Sequence, residues 1–328
     1  MLTEQDCTVV ELPKVDTRLI TPKAPAIARV VGNLPCTYGK SNSWVRNVAI
    51  DVSATALAGK IRIGQAFGII PPGTDEDGKP HKVRLYSIAS PDAGEDGRGN
   101  ILCTPVKRTI AEFDPEIGGN RRAHRGMFMG ACSNYLCNLS VGDEVLVTGP
   151  AGKRFLLPAD AERHDYVFIA TGTGIAPYRG MVLQLLKGPA GPTRRDIWLL
   201  AGAPYTSDLL YHELFLEIER EFDNFHYLQA VSREPHAPGE LRGIYVDRLL
   251  VSHLERLGPV LERPSTLLYL CGIAGMQFSI YRRLALLGLL DGYAVPKSDI
   301  CVTSPADWTS TQMRRGLRAT ARCMIEVY

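Results

Sequence analysis

A glycine-rich turn near the middle of the chain limits what its second half can fold into. The turn, Ala170–Pro177, lies between the apolar run Tyr166–Ala170 and a helical pattern over Ile175–Leu186. Its two glycines let the backbone approach a phosphate closely, and the start of the helix offers unpaired N–H groups. Pro177 replaces the third glycine of the usual dinucleotide fingerprint. On its own, the turn is therefore either a nucleotide site or a tight connection that binds nothing.

Strand-like and helical patterns alternate throughout the chain after Pro158. The strand-like runs are Tyr166–Ala170, Ile197–Ala201, Phe225–Val231, Leu267–Cys271 and Cys323–Tyr328. The helical patterns are Ile175–Leu186, Ser207–Phe222, Val246–Leu257 and Met276–Leu290, and a final helix is expected before the last run. This alternation predicts an α/β domain with a parallel sheet and right-handed crossovers over residues 159–328.

The pattern before Pro158 is different, because short apolar runs there are separated by clusters of Gly, Pro and Asp. The runs are Trp44–Val52, Ala66–Ile70, Val83–Ala89, Ile101–Val106 and Glu144–Gly149. Such spacing predicts an antiparallel barrel or sandwich over residues 26–158. The polar residues 1–25 show no period and are predicted to be a tail or arm.

Composition excludes several classes of protein. The chain has 328 residues, 45% hydrophobic and 22% charged, which is typical of a soluble two-domain protein. Its net charge of +2 is too small to indicate nucleic-acid binding. We expect no transmembrane segment, since no run of about 18 apolar residues occurs, and no secretory signal, since the N-terminus lacks an apolar core.

The cysteines indicate neither a metal site nor a disulfide framework. There are eight of them, without a CxxC pair or a Cys/His metal spacing. In a long chain without a signal peptide they are interpreted as reduced thiols, which predicts a cytoplasmic protein without an iron–sulfur cluster.

Two segments of the first domain carry polar groups suited to a phosphate. Arg84 and Tyr86 would share one face of a strand, where they could grip a phosphate and cover an aromatic ring. The segment Gly130–Cys137 offers hydroxyl and N–H donors near a helix start. The alternatives are an ordinary exposed strand and a plain helix.

Two further groups follow strands of the second domain. Ser232 and Arg233 end the third strand-like run, and Arg242 and Tyr245 follow, so this group could hold a 2′-phosphate. No acid stands at this strand end, which favours NADP over NAD, although a solvated arginine is equally consistent. Cys271 ends the next strand and is either a core thiol or a neighbour of a flat cofactor.

Taken together and in this order, these motifs resemble the plant-type ferredoxin–NADP(+) reductases from about Ala26 to Tyr328. The most specific segments are Asp77–Ser90, Cys132–Leu139, Thr148–Lys153, Gly172–Pro177 and Glu326–Tyr328. The resemblance implies a flavoprotein with an antiparallel β-barrel that binds FAD, followed by a parallel α/β domain that binds NADP. It also implies electron exchange between NADP(H) and ferredoxin or flavodoxin, with hydride transfer between flavin N5 and nicotinamide C4.

The resemblance also assigns roles to residues of the FAD site. Arg84 would pair with the FAD diphosphate, Tyr86 would stack on the flavin ring, and Ser87 would lie near N5. Further FAD contacts are implied for Leu85, Cys103, Val106, Lys107, Gly130, Ala131, Cys132, Ser133 and Asn134.

On the NADP side, the resemblance implies that Tyr328 covers the second face of the flavin and moves aside for nicotinamide. Ser87, Cys271, Glu326 and Tyr328 would border the hydride-transfer position. The NADP contacts implied are Gly172, Thr173, Gly174 and Pro177 at the diphosphate, Gly272 and Met276 nearby, and Ser232, Arg233, Arg242, Tyr245 and Asp247 around the 2′-phosphate.

Three positions depart from the family pattern. Ala111 stands where the family has a tyrosine that stacks on the FAD adenine, and Phe113 is a possible substitute. Gly243 stands where the family has a lysine, which Arg242 could replace. Asp247 stands where the family has a glutamine, and this acid is expected to weaken the grip on the 2′-phosphate.

An acidic carrier such as ferredoxin would need a basic surface. The candidates are Lys60, Arg62, Arg108, Arg121, Arg122, Arg125, Lys153 and Arg154, with scattered solubilising charge as the alternative. Two other functions stay open: the NADPH-dependent reductase component of an oxygenase, which often carries a fused ferredoxin domain, and a non-catalytic NADP-sensing flavoprotein subunit. The presence of Glu326, Cys271 and Tyr328 argues against the sensor.

Overall fold

A computed structural model describes residues 10–41, 43–75, 77–113, 126–235, 243–297 and 304–328, with only the backbone given for 111–113 and 126–128. These residues divide into two compact units. One unit is Val15–Gly152, and the other is Lys153–Tyr328 with the segment that ends at Lys14. The division falls a few residues before Pro158, where the sequence pattern changes.

The described part of the first unit contains a six-stranded antiparallel sheet with the order β4-β3-β8-β1-β2-β5. Its strands are β1 (Ala26–Pro35), β2 (Val45–Asp51), β3 (Ala66–Ile70), β4 (Arg84–Ser87), β5 (Ile101–Lys107) and β8 (Glu144–Ala151). A separate hairpin pairs β6 (Ile110–Phe113) with β7 (Gly126–Met129), and the helix α1 (Ala131–Asn138) follows it. The predicted antiparallel domain is confirmed.

The interior of this unit follows from the alternation of apolar residues along its strands. Val45, Val48 and Ile50 of β2 are buried, whereas the residues between them are partly exposed. Val48 and Ile50 pack with Phe67 of β3 and Leu136 of α1 in one hydrophobic cluster. β4 is an edge strand of the sheet, and its first two residues are exposed to solvent.

The end of the predicted tail is bound to this sheet. The N–H groups of Arg18 and Ile20 donate to the carbonyl oxygens of Pro150 and Gly149, each at 2.9 Å. Ile20 is buried in the hydrophobic cluster. Backbone hydrogen bonds and the burial of Ile20 therefore attach this segment to β8, although no periodicity signals it.

The second unit contains a five-stranded parallel sheet among its described residues, with the order β11-β10-β9-β12-β15. The strands are β9 (Asp165–Thr171), β10 (Ile197–Ala203), β11 (Phe225–Val231), β12 (Thr266–Gly272) and β15 (Cys323–Val327). The helices are α2 (Ala176–Lys187), α3 (His212–Glu221), α4 (Leu249–Ser252), α5 (Leu254–Glu262), α6 (Ala274–Leu286) and α7 (Ser310–Gly316). A short hairpin joins β13 (Ala294–Pro296) to β14 (Leu317–Ala319). This parallel α/β unit confirms the predicted fold class.

Two predicted helices are shorter than their sequence patterns. The pattern over Ser207–Phe222 gives only α3, because Tyr211 before it has a left-handed backbone with φ of 57°. The pattern over Val246–Leu257 is interrupted at His253, whose φ of −118° lies outside the helical range.

None of the helices in the described ranges is both long and apolar enough to cross a membrane.

Candidate cofactor and hydride-transfer sites

The edge strand β4 and the start of α1 lie side by side in the first unit. The Tyr86 and Cys132 side chains are hydrogen-bonded to each other. No side chain caps the N-terminus of α1, and its first turn contains no acid. The N–H groups of this turn and the positive end of the helix dipole therefore remain suited to an anion.

Arg84 adds a positive charge to the same place. Burial raises the pKa of the Cys132 thiol, while the hydrogen bond from Tyr86 and the nearby positive charge of Arg84 act in the opposite direction. The Arg84 guanidinium is exposed and donates to the carbonyls of Lys82 and Val83 at 3.3 Å, which are long bonds. A cation with weak local partners beside an uncapped helix start fits the diphosphate of FAD.

Tyr86 and Ser87 form the partly buried end of this strand. Burial is the main cause that raises the pKa of the Tyr86 phenol, so the ring stays neutral. Thr104 Oγ1 donates to the Ser87 carbonyl oxygen at 2.8 Å and fixes the strand end. A half-buried neutral ring next to a fixed backbone suits stacking against a flat aromatic group.

The other predicted FAD contacts are less directly available. Cys103 and Val106 are fully buried, so only their backbone could reach a ligand, whereas Leu85 and Lys107 are exposed. Ser133 accepts from the Thr109 N–H at 3.1 Å.

Gly130 and Asn134 fix the loop before α1. A Cβ at Gly130 would lie 2.9 Å from Ser133 Oγ. Asn134 Nδ2 donates to the carbonyls of Thr109 and Gly130 at 2.9 Å, and Asn134 Oδ1 accepts from Arg108 at 3.0 Å. The Ser133 and Asn134 side chains therefore fix the loop at the start of α1.

In the second unit, the glycine-rich turn joins β9 to α2 as a short 3₁₀ turn, Gly172–Ile175. A Cβ at Gly174 would lie 2.2 Å from the Cys271 carbonyl oxygen, and one at Gly272 would lie 2.2 Å from Thr171 Oγ1. Glycine is therefore required where the ends of β9 and β12 meet. Pro177 is buried in the first turn of α2, where a missing N–H costs nothing.

The C-terminal residues meet this turn. Cys271 pairs with Glu326 in the parallel register of β12 and β15. The Tyr328 N–H donates to the Gly272 carbonyl oxygen at 3.0 Å, and Tyr328 Oη lies 2.8 Å from Thr173 Oγ1. The terminal aromatic residue, a position that is usually frayed, is held over the C-terminal ends of two strands.

The Glu326 carboxyl group is the most unusual titratable group of this cluster. Burial raises its pKa, and its Oε2 is buried with no hydrogen-bond partner among the described residues. Burial, and then the charge of Glu326, raise the pKa of the Cys271 thiol, so the sulfur stays protonated. A buried carboxylate that is not paired with a cation costs folding free energy, unless a bound ligand supplies the opposite charge.

Met276, a predicted NADP contact, is a core residue of α6.

The predicted 2′-phosphate group also comes together in part. The N–H groups of Ser232 and Arg233 donate to the carbonyls of Ala203 and Pro204 at 3.0 and 2.8 Å. The Arg233 guanidinium lies 5.9 Å from the centre of the Tyr205 ring. Arg242 is outside the described residues.

The chain after this strand end returns to it. The Ile244 N–H donates to the Val231 carbonyl oxygen at 3.1 Å, and a Cβ at Gly243 would lie only 1.6 Å from that oxygen. The family's lysine therefore does not fit at Gly243 in this backbone. Tyr245 follows and is 72% exposed.

Sequence reasoning missed one residue of this group. Arg283 of α6 donates to Asp247 Oδ2 at 3.1 Å, across 36 positions of sequence. No local motif joins the two residues, because α4, α5 and β12 lie between them in the sequence.

The predicted basic surface is partly engaged within the first unit. Arg108 binds Asn134 and lies 5.6 Å from the Trp44 ring centre, and Arg62 pairs with Asp92 at 3.7 Å. Lys60 and Arg154 are exposed. Arg121, Arg122 and Arg125 are outside the described residues, as are Cys7 and Cys301, while the side chains of Ala111 and Phe113 are not described.

Comparison with known proteins identifies the family. The model of the oxidoreductase NAD-binding domain matches residues 168–281. The ferredoxin–NADP reductase of Picosynechococcus sp. is 36% identical over 96% of this chain and 72% of its own length. The chloroplastic leaf isozyme 1 of Arabidopsis thaliana is 35% identical over 81% of this chain and 68% of its own length.

A solved structure has the same fold. The ferredoxin–NADP+ reductase of Plasmodium falciparum, solved with 2′P-AMP, aligns with a TM-score of 0.66 at 21% identity, over 95% of this chain and 99% of that one. Because the cyanobacterial and plant sequences are well above 30% identity over most of both chains, this chain belongs to the ferredoxin–NADP reductase family.

Proposed function

We propose that this protein is an FAD-dependent oxidoreductase that exchanges electrons between NADP(H) and ferredoxin or flavodoxin. The observation that carries the proposal is the cluster of Thr173, Cys271, Glu326 and Tyr328 at the C-terminal ends of β9 and β12. Ligands of open α/β sheets bind at this edge. The relatives matched are ferredoxin reductases, which favours this function over an oxygenase component or a sensor.

FAD, when bound, supplies the exchange between two-electron hydride chemistry and one-electron carriers. The chain's own part is binding and orientation. Arg84 and the start of α1 would hold the diphosphate, and Tyr86 would lie against the ring. The Thr104 hydrogen bond would keep Ser87 at a fixed place at the end of β4.

In the second unit, the turn at Gly172–Gly174 would hold the NADP diphosphate, and Ser232, Arg233 and Tyr245 would hold the 2′-phosphate. Loss of hydride leaves a positive charge on the nicotinamide ring. The Glu326 carboxylate would stabilise that charge, and the neutral Cys271 thiol would exclude water without adding a second charge.

The experiment that tests the function is anaerobic mixing of the purified yellow protein with NADPH or NADH, followed by reduction of a ferredoxin. We expect rapid bleaching of the flavin by NADPH, bleaching at least about tenfold slower by NADH, and electron transfer to ferredoxin. Equal rates with both nucleotides would contradict the NADP preference. No bleaching with either would support a non-catalytic protein.

Under this proposal Tyr328 would lie where the nicotinamide ring binds, since its hydroxyl is bound to Thr173 at the ends of β9 and β12, close to Cys271 and Glu326. Replacing Tyr328 with serine should therefore increase the affinity for NADP+ by about tenfold, since no aromatic ring has to be displaced first. Titration calorimetry with NADP+ and with 2′P-AMP measures this. The fragment lacks nicotinamide, so its affinity should not change, and an equal gain for both ligands would contradict a role at the nicotinamide position.

We propose a cytoplasmic location and an acidic carrier as the partner. The location rests on the interpretation of the cysteines as reduced thiols, and the six in the described residues form no disulfide with one another. Lys60 is an exposed cation of the first unit and belongs to the basic set suggested by the sequence.

A further inference from the structure

Asp247 puts a negative charge next to the site where we propose that a dianionic phosphate binds. It lies in the 3₁₀ turn Val246–Arg248, two residues after Tyr245. The turn is fixed to the end of β11, because the Ile244 N–H binds the Val231 carbonyl oxygen and the Arg248 N–H binds the Tyr245 carbonyl oxygen. The turn therefore cannot swing Asp247 away without breaking this backbone contact with β11.

The Asp247 carboxylate is paired instead of exposed. Arg283 donates to Asp247 Oδ2 at 3.1 Å, and the two side chains are only 23% and 15% exposed. Ion pairs on open surfaces contribute little, but a pair that is mostly shielded from water interacts more strongly and is less screened by salt. The local charge of Asp247 and Arg283 together is close to zero.

The sequence alone suggested that Asp247 would weaken binding of the 2′-phosphate. That expectation considered the acid without its partner, which comes from a different helix. With the pair in place, Ser232, Arg233 and Tyr245 are left with a nearly neutral neighbour instead of an anionic one.

We propose that Arg283 is a specificity-determining residue of this protein, which maintains the preference for NADP(H) over NAD(H) by neutralising Asp247. Arg283 acts through Asp247 and is therefore a positioning and charge-compensating residue, not a catalytic one. The inference rests on the proposed function, because it assumes that the 2′-phosphate binds at the end of β11.

The test is a double-mutant cycle read out by ligand binding. The affinities of 2′P-AMP and of 5′-AMP are measured by calorimetry for the holoenzyme and for Arg283→Gln, Asp247→Asn and the double variant. Arg283→Gln exposes the acid and should weaken 2′P-AMP binding about tenfold, while the affinity for 5′-AMP stays the same within twofold. Asp247→Asn should not weaken 2′P-AMP binding, and the double variant should return close to the wild-type affinity.

Arg282→Gln is the matched control. This neighbouring arginine of α6 binds the Trp308 carbonyl oxygen and not Asp247. Arg282→Gln removes the same charge from the same helix but leaves the pair of Arg283 and Asp247 intact. It should therefore leave the ratio of the 2′P-AMP and 5′-AMP affinities unchanged. Melting temperatures of all variants exclude a general loss of structure.

The outcomes separate this inference from the proposed function. If the wild-type protein fails to prefer 2′P-AMP over 5′-AMP, the NADP assignment fails before Arg283 is considered. If the wild type prefers 2′P-AMP but Arg283→Gln keeps the full preference, the role of Arg283 is wrong. Loss of 2′P-AMP affinity that Asp247→Asn does not restore would also overturn it, because it would indicate a structural role.

Discussion

Replacing Arg84 with alanine is expected to yield a folded protein that binds FAD about 100-fold more weakly and loses most of it during purification. Arg84 is exposed and makes only long hydrogen bonds to nearby carbonyls, so its removal costs the apoprotein little. The bound diphosphate would lose a bidentate, charge-assisted contact. Two such hydrogen bonds contribute about 3 kcal/mol together, which corresponds to about 100-fold in affinity.

The measurement is the dissociation constant of FAD, obtained by fluorescence titration of the apoprotein, with the ratio of flavin to protein after gel filtration as a second readout. Lys79→Ala is the control, because Lys79 is an exposed cation near β4 that pairs with Asp77 at 3.3 Å. It should retain full flavin content. Equal flavin retention in Arg84→Ala would mean that the start of α1 alone holds the diphosphate.

The sequence predicts the class and order of the two domains because each rests on a local pattern. Strand and turn spacing is visible in the first part of the chain, and βα alternation is visible in the second. The bounds of Ala66–Ile70 and Phe225–Val231 agree with the strands to the residue, since turn residues flank both. By contrast, the helical spacing over Ser207–Phe222 does not predict the left-handed backbone of Tyr211, which makes α3 shorter than the pattern.

The candidate sites divide in the same way. Residues that act through their own backbone position can be predicted from motifs, as for Gly174, whose Cβ would collide with Cys271. Residues whose role depends on a partner far away in the sequence cannot be predicted from motifs. Asp247 looks repulsive in the sequence, but in the structure it is paired with Arg283 of α6. The same holds for Ile20, whose burial depends on a strand far along the chain.

Replacing Glu326 with glutamine is expected to make the protein more stable and less active. Burial raises the pKa of this carboxyl group, and Oε2 has no hydrogen-bond partner in the described part of the chain. Glutamine keeps the shape and removes the unpaired charge. An unpaired buried charge costs more than an unpaired neutral amide, which itself costs about 1–3 kcal/mol, so a gain of about 1 kcal/mol in unfolding free energy at pH 8 is expected from removing the charge alone.

The pH dependence of this gain has a definite sign. A carboxyl group whose pKa is higher in the folded than in the unfolded state favours folding most when it is protonated. The wild type should therefore lose stability as the pH rises above the pKa of the unfolded state, while Glu326→Gln should not. The difference between the two should be largest at pH 8 and should shrink towards pH 4, as measured by urea unfolding at several pH values.

Activity should change in the opposite direction. The ionised carboxylate stabilises the positive charge that forms on nicotinamide, and loss of one such electrostatic contact typically costs about 100-fold in turnover. Ferricyanide reduction by NADPH measures this, and Glu262→Gln is the control, since Glu262 is an exposed residue at the end of α5. A stabilised variant with full activity would remove Glu326 from the hydride-transfer site. A slow variant without the pH-dependent gain would instead mean that the carboxylate is solvated or paired in the free enzyme. Higher stability at pH 8 together with lower activity in Glu326→Gln would support the conclusion that this carboxylate destabilises the folded protein but accelerates hydride transfer.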